Sequence, residues 1–331
     1  GNTCDGVNGN MPQRIWWSAA GNAKTDGWPT PGGASAAQLQ SGATDLLGSG
    51  GWVQAIVSDL ANADGVVFQQ YAIKRMMYVG PPVVFEFLPA ENVRGTPAPY
   101  SVVVAGGIAS SLGHAGFSAF AGLNSQPIGA NRVDRTFWND VDQSYINQIV
   151  AAVDPVNKLI WWAYPGSGNS GGNPNHMLCY NWQLDRWSIC DVTIETIARV
   201  LSVGYTLDEL YTVLGYTLDT LPAPLDSSVW TGGRLQLGVF DTSHKLNYLE
   251  GPSLAAQVDT QELQPVPGRR VFVRGSRPLV DGVGTIPSVN IGHRETLQSA
   301  PVYAGAVAIN ALGVCPARTS GRYVRASITV P

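Results

Sequence analysis

Lys158-Leu159-Ile160-Trp161-Trp162-Ala163-Tyr164, followed by Trp182 and Trp187, repeats the pattern of Arg14-Ile15-Trp16-Trp17-Ser18-Ala19, followed by Trp28. Each copy opens on a basic residue and runs through a short apolar segment holding a Trp-Trp pair. A Gly- and Asn-rich loop then leads to a further tryptophan. A supersecondary unit that recurs with insertions of variable length marks a repeat architecture. The repeated segments are strand-sized, and the strand repeat that closes on itself is the β-propeller blade. The pattern predicts an all-β chain, a β-propeller with a small C-terminal β-sandwich-like domain. Such a fold names no reaction by itself.

The strand pattern extends outward from these copies. Trp52–Ser58, Gly65–Gln70, Ile73–Val79 and Val83–Leu88 are apolar or alternating runs, punctuated by Asn62-Ala63-Asp64-Gly65 and Gly80-Pro81-Pro82. Turn chemistry between short strands predicts one blade. Ser101–Ala105, Ala115–Phe120 and Pro127-Ile128-Gly129 continue it. Asp140–Val150 has helical spacing, with Val141, Tyr145, Ile146 and Ile149 on one face, and predicts a short helix leading into a blade at Ala151–Trp162. A hairpin is predicted at Met177–Trp182 and Arg186–Ile189. Thr-Leu-Asp then recurs at 206–208 and 217–219, echoed at Pro224-Leu225-Asp226-Ser227, which predicts successive turns. A hairpin at Leu235–Phe240 and Lys245–Leu249 follows, then strands at Arg270–Arg274, Ser288–Ile291, Val302–Ile309 and Arg322–Thr329.

Composition agrees with an all-β reading. Of 331 residues, 44% are hydrophobic and only 13% charged, with 38 glycines, 22 prolines and 10 tryptophans. So little charge points to an assembled protein, because free monomers keep more for solubility. The net charge of −4 is unevenly spread. Residues 260–331 hold eight arginines, no lysine and three acids, a net of +5 that leaves −9 for residues 1–259. All ten tryptophans precede residue 231. These shifts predict propeller blades over 1–257 and an Arg-rich β domain over 258–331. Gly95–Asn131 and Thr296–Ala317 lack charge, but Gly, Ser, Asn, Gln and Pro interrupt both. They read as buried strands and turns, with no stable membrane insertion.

Signals for chemistry are sparse. The four histidines are scattered without HExxH spacing, and the four cysteines show no CxxC. No cofactor or metal site is expected. Cys179 and Cys190 are placed to meet across a hairpin, yet buried free thiols are the favoured reading. Asp140 and Asp142 read as helix-start acids rather than a catalytic pair or calcium loop. No catalytic residues are assigned, and the chain is expected not to be an enzyme. In each Trp-Trp pair, alternation sends one ring inward and one outward. Core plus interface is the favoured reading of the pairs; as the alternative, a stacking platform for sugars, Trp161, Trp162 and Trp182 form the candidate aromatic surface. Arg269, Arg270, Arg274 and Arg277 form the candidate interface or DNA-facing cluster, because arginine without lysine favours fixed contacts to carboxylates and phosphates.

A family resemblance rests on several motifs together. Gly65-Val-Val-Phe68, Ala72-Ile-Lys-Arg-Met-Met-Tyr-Val-Gly-Pro81, Val84-Phe-Glu-Phe87 and Gly95-Thr-Pro-Ala-Pro-Tyr-Ser-Val102 come first. Gly116-Phe117, Phe120-Ala-Gly122, Pro127-Ile-Gly129, Asn131-Arg-Val-Asp134, Tyr180-Asn-Trp-Gln-Leu-Asp-Arg-Trp187 and Gly321-Arg-Tyr-Val-Arg325 follow. Over residues 11–327 the chain resembles propeller-type tail structural proteins of short-tailed double-stranded DNA bacteriophages, the hub or nozzle class below the portal. The resemblance implies a virion protein made in the host cytoplasm and assembled as a homo-oligomeric ring, a hexamer being one option. It implies docking of portal, adaptor, other tail and fibre proteins, with DNA passing transiently through the lumen. A host-glycan-binding propeller on the tail is the alternative. The opening Gly1-Asn2-Thr3-Cys4 reads as an entry partway through the fold, with the blade count open.

Overall fold

The computed structural model describes residues 3–5, 9–22, 28, 40–60, 64–201, 204, 206–212, 215–221, 224, 226, 235–249, 255–280 and 286–331. Positions 62 and 63 of the predicted turn, and 205, 225 and 227 of the Thr-Leu-Asp series, lie outside the described residues. Strands account for 49% and helices for 8%, so the chain is all-β. It divides into two compact units, Gly1–Leu249 and Glu250–Pro331.

In the first unit β1 (Thr3–Asp5) pairs with β2 (Gly9–Met11), and β3 (Arg14–Trp17) with β4 (Gly42–Asp45). Three antiparallel meanders of four strands follow in sequence order. The first joins β5 (Val53–Val57), β6 (Gly65–Gln69), β7 (Ile73–Gly80) and β8 (Val84–Glu91). The second joins β9 (Val103–Ala105), β10 (Ile108–Gly113), β11 (Gly116–Phe120) and β12 (Ser125–Pro127). The third joins β13 (Val150–Asp154), β14 (Leu159–Tyr164), β15 (His176–Asn181) and β16 (Arg186–Asp191). A three-stranded sheet of β17 (Thr196–Leu201), β18 (Leu235–Phe240) and β19 (Leu246–Tyr248) ends the series.

Two of the third meander's hairpins use the same turn device. Asp154 Oδ1 accepts from the amides of Val156 and Asn157 at 3.0 and 3.2 Å, and Lys158 then takes φ +60°. Asn181 Oδ1 accepts from Gln183 and Leu184 at 3.0 and 2.9 Å, and Asp185 takes φ +54°. A short Asx side chain that bonds forward along its own backbone closes each turn.

Successive sheets bury their faces against one another. Val67 packs with Ile15, Leu46 and Val53, joining the β3–β4 pair to the first meander. On the opposite face Val66, Phe68 and Ile73 pack with Ala109 and Phe120 of the second meander. Alternation carries Leu112 and Phe117 to the far side of that sheet, where they meet Ile160, Trp162, Tyr164 and Leu178 of the third. The other face of the third sheet sends Ala152, Ala163 and Met177 against Ile197, Leu237 and Val239. Four cores thus lie between five consecutive layers. This explains why Gly65–Gln69 is buried at every position instead of at alternate ones. Among the described residues no hydrophobic cluster joins β17–β19 back to β3–β4.

The predicted helix over Asp140–Val150 is corrected. An α-helix spans Asp134–Asp140, Val141 is extended, and a 3-10 segment spans Gln143–Gln148. The break comes at Asp142, whose side chain accepts from the Ser144 amide at 3.0 Å and starts a new turn. Val141, Ile146 and Ile149 still pack into the core that the spacing assigned them. The Thr-Leu-Asp recurrence has a physical cause as well. Thr206 exchanges hydrogen bonds with Glu209 ahead of a helix at Leu207–Thr212, and Thr217 does so with Thr220 ahead of a 3-10 turn. Each threonine opens a capping box.

In the second unit β20 (Ala256–Asp259), β25 (Tyr323–Val330), β22 (Ser288–Arg294) and β23 (Val302–Ala308) form one antiparallel sheet in that spatial order. The ribbon β21 (Val271–Ser276) and β24 (Cys315–Gly321) is separate. Val289 and Ile291 lie opposite Ile328 and Ala326, and Cys315 and Ala317 complete this small core.

Candidate functional site

The predicted aromatic surface is corrected at its centre. Trp162 is fully buried between the second and third meanders, against Phe117 at 4.9 Å and Trp187 at 5.6 Å between ring centroids. Its indole N–H donates to the Ser101 carbonyl at 2.9 Å. Trp161 lies on the opposite face, half-buried against the core shared with β17–β19, and Trp182 is half-buried against the same core as Trp162. The two rings of the pair do diverge, but each meets a neighbouring sheet. Alternation gives opposite faces and says nothing of whether solvent lies beyond them. The earlier pair behaves similarly: Trp17 packs edge-on against Phe85 at 5.5 Å, and the Arg14 guanidinium lies over Trp16 at 5.9 Å.

All four candidate arginines are exposed. Arg270 pairs with Glu295 at 2.7 Å. Among the described residues Arg269, Arg274 and Arg277 make no ion pair. Arg274 stands on β21 where its register with β24 shifts, two residues from Phe272, which is 59% exposed. By contrast Arg294 is engaged by Glu262 through both Nε and Nη2 and also donates to the Leu297 and Ser299 carbonyls. Arg325 lies over Tyr303 at 5.1 Å. The unit therefore sorts its arginines into a structural set and an available set.

A polar cluster around Asp140 escaped sequence reasoning, because its members lie up to 51 positions apart, from Asp140 to Asp191. The Asp140 carboxylate accepts from Ser167 Oγ at 2.7 Å and Tyr164 Oη at 3.0 Å, and His176 Nε2 lies 3.7 Å away. His176 Nδ1 is 2.8 Å from Asp191. Burial raises the Asp140 pKa, but these hydrogen bonds and the histidine outweigh it and hold the carboxyl below its ordinary range. Burial, followed by the Asp140 bond, pushes the Tyr164 hydroxyl well up, so it stays a donor. Asp142 is occupied separately, by the Ser144 amide and by Asn169 Nδ2 at 3.2 Å. Ser167 donates its hydroxyl hydrogen bond to the carboxylate and makes no bond to the imidazole, so this geometry lacks a serine–histidine contact. What it does is pin the loop between β14 and β15: Asn175 Oδ1 accepts from Gly166 N at 2.7 Å, and Asn169 Oδ1 from Gly172 N at 2.9 Å.

Cys179 and Cys190 are free thiols. Cys179 sits opposite Ser188 and Cys190 opposite Met177, so they are diagonal rather than paired. Among the described residues no group of three or more His, Cys, Asp or Glu is gathered to hold a metal ion, and no described helix is long and apolar enough to cross a membrane. No protein-family model matches the chain, and no curated protein is significantly similar to it.

Proposed function

We propose that this chain is a non-enzymatic structural protein of a bacteriophage tail, of the hub or nozzle class, whose successive sheets are blades of a β-propeller. The observation that carries the reading is the serial burial of the first unit. Three consecutive meanders of four strands are each covered on both faces by a neighbour, with a separate core at every junction. Radially repeated sheets of this kind are how propellers protect their edges. The result is a stiff body suited to bearing load and contacts.

Surface chemistry supports assembly. Leu47, Val93, Val156, Leu279 and Leu312 are each at least 75% exposed, on a chain with only 13% charged residues. The small charged share is the feature that favours an assembled protein. In this reading copies of the chain form a homo-oligomeric ring around the DNA conduit. Portal-side, tail and fibre proteins dock on the ring, and Arg269, Arg274 and Arg277, which make no ion pair among the described residues, offer their guanidinium groups to phosphates or an acidic neighbour.

Light scattering with electron-microscopy class averages, on the purified chain alone and with tail extract, tests this. A symmetric ring, or incorporation on the tail axis, is the expected result. A compact monomer that ignores tail components overturns it.

A further inference from the structure

A groove of about 810 Å³ runs along β5 in the first unit, floored by the turn Pro97–Val102 and by β13. Its lining contains no charged residue. Two aromatic rings stand out from it, Trp52 at 48% exposure and Tyr100 at 67%. The same lining carries the side-chain amides of Gln54, Gln70 and Asn147. From this chemistry we propose that the groove binds a neutral oligosaccharide.

The backbone that carries each ring is fixed in place before any ligand arrives. Trp52 is clamped to Gln70 in both directions: Gln70 N donates to Trp52 O at 3.0 Å, and Trp52 N donates to Gln70 Oε1 at 3.3 Å. The preceding loop is held by the fully buried Gln69, whose Nε2 donates to the Gly51 carbonyl at 2.8 Å, and by Tyr71 N donating to Gly50 O at 2.9 Å. Gly51 takes φ +76°, a conformation that disfavours a side chain. Tyr100 rides on the 3-10 turn Pro99–Ser101, where Pro99 restricts φ and Ser101 is buried. Ser101 Oγ donates to Ala98 O at 2.8 Å and accepts from Leu112 N at 3.2 Å. Backbone held in this way lowers part of the ordering cost of binding.

The polar groups point to the ligand class. Among the described residues Gln54 and Asn147 make no side-chain hydrogen bond, and Gln70 uses only its Oε1. An amide both donates and accepts, which matches a sugar hydroxyl. The apolar C–H face of a pyranose matches a tryptophan or tyrosine ring. An anionic glycan or nucleic acid meets no cation here. The lining includes none of Trp161, Trp162 and Trp182, and the proposal does not depend on the tail assignment.

Tryptophan fluorescence and calorimetric titration of the full chain with maltohexaose, cellohexaose and chitohexaose test the proposal, with hyaluronan hexasaccharide as the anionic control. Saturable binding of at least one neutral hexasaccharide is expected, with none of the anionic one. Trp52→Ala and Tyr100→Ala each weaken it by about tenfold or more, and Gln54→Ala or Asn147→Ala by about threefold. Trp52→Phe retains more affinity than Trp52→Ala, and Tyr211→Ala, which removes a 67% exposed ring elsewhere, leaves it unchanged. Failure of all three neutral sugars overturns the proposal, as does binding that survives Trp52→Ala. Self-association that Trp52→Ala abolishes, or displacement of the sugar by decaproline, reassigns the groove to a protein partner and also overturns it.

Discussion

The indole Nε1 of Trp162 donates to the carbonyl oxygen of Ser101 across the junction between the second and third meanders, at 2.9 Å and with both residues buried. A parallel bond runs from Trp187 Nε1 to the Ile128 carbonyl at 3.2 Å. Neighbouring sheets are thus joined by directional bonds set inside an apolar core, which fixes their register as well as their contact.

Trp162→Phe keeps most of the packing and orphans the Ser101 carbonyl, so a loss of about 1–3 kcal/mol is expected. Trp162→Ala adds a cavity and should cost about 3–5 kcal/mol. Urea unfolding measures both. An unchanged stability in Trp162→Phe would show that the bond to Ser101 contributes nothing.

Asp140 makes stability depend on pH. Its carboxyl is held below the ordinary value of 3.8 in the folded chain, so its contribution is fully present above that value and is lost as pH falls through the folded pKa. Thermal unfolding midpoints from neutral pH to below 3.8 should therefore fall less steeply for Asp140→Asn than for the parent chain. An unchanged acid limb would count against the cluster.

Burial pushes the Cys179 thiol up to about 11 and raises that of Cys190. The thiolate is the reactive form, so both residues should label with maleimide at least about tenfold more slowly in the native chain than in urea. Peptide mapping without reductant should find no Cys179–Cys190 bond. A native disulfide between them would contradict the diagonal register.

Gly95 tolerates no side chain. A Cβ there falls on the Gln69 carbonyl oxygen and the Gln70 backbone, and the neighbouring Thr96 amide donates to Gln69 O at 2.9 Å. Because the obstacle is backbone, Gly95→Ala should cost about 1–3 kcal/mol or prevent folding, read by circular dichroism and expression yield. Gly106→Ala, where the Cβ meets open space but φ is +60°, should cost about 1 kcal/mol.

Replacing Arg269, Arg274 and Arg277 together by Gln should leave the unfolding free energy within about 0.5 kcal/mol of the parent, since all three are exposed. In the proposed role it should reduce ring incorporation or genome delivery. Arg294→Gln should instead destabilise the second unit by removing the partly buried pair with Glu262. Normal assembly and delivery by the triple variant would remove the role given to these arginines.

Much of the strand pattern was legible because it rests on local physics. Gly65–Gln69, Ile73–Gly80 and Leu159–Tyr164 are runs of β-branched and aromatic residues bounded by turn formers. Ile108–Gly113 and Cys315–Gly321 went unread, because Ser110, Ser111 and Thr319 look like loop residues until tertiary packing buries them. The Asp140 cluster and the Trp52–Tyr100 groove were hidden for another reason. Their members come from separate strands and turns, and no spacing rule links them.

From the sequence alone came the all-β class, the shift in charge near residue 260, and the threonines that open successive turns, all consequences of backbone preference and side-chain polarity. Only the tertiary structure decided which faces are dry. Strand alternation sends Trp161 and Trp162 in opposite directions, but each meets another sheet because the layers follow one another in series. Stacking of sheets is a non-local event, and it buries Trp162 while leaving Trp52 and Tyr100 among the exposed aromatics.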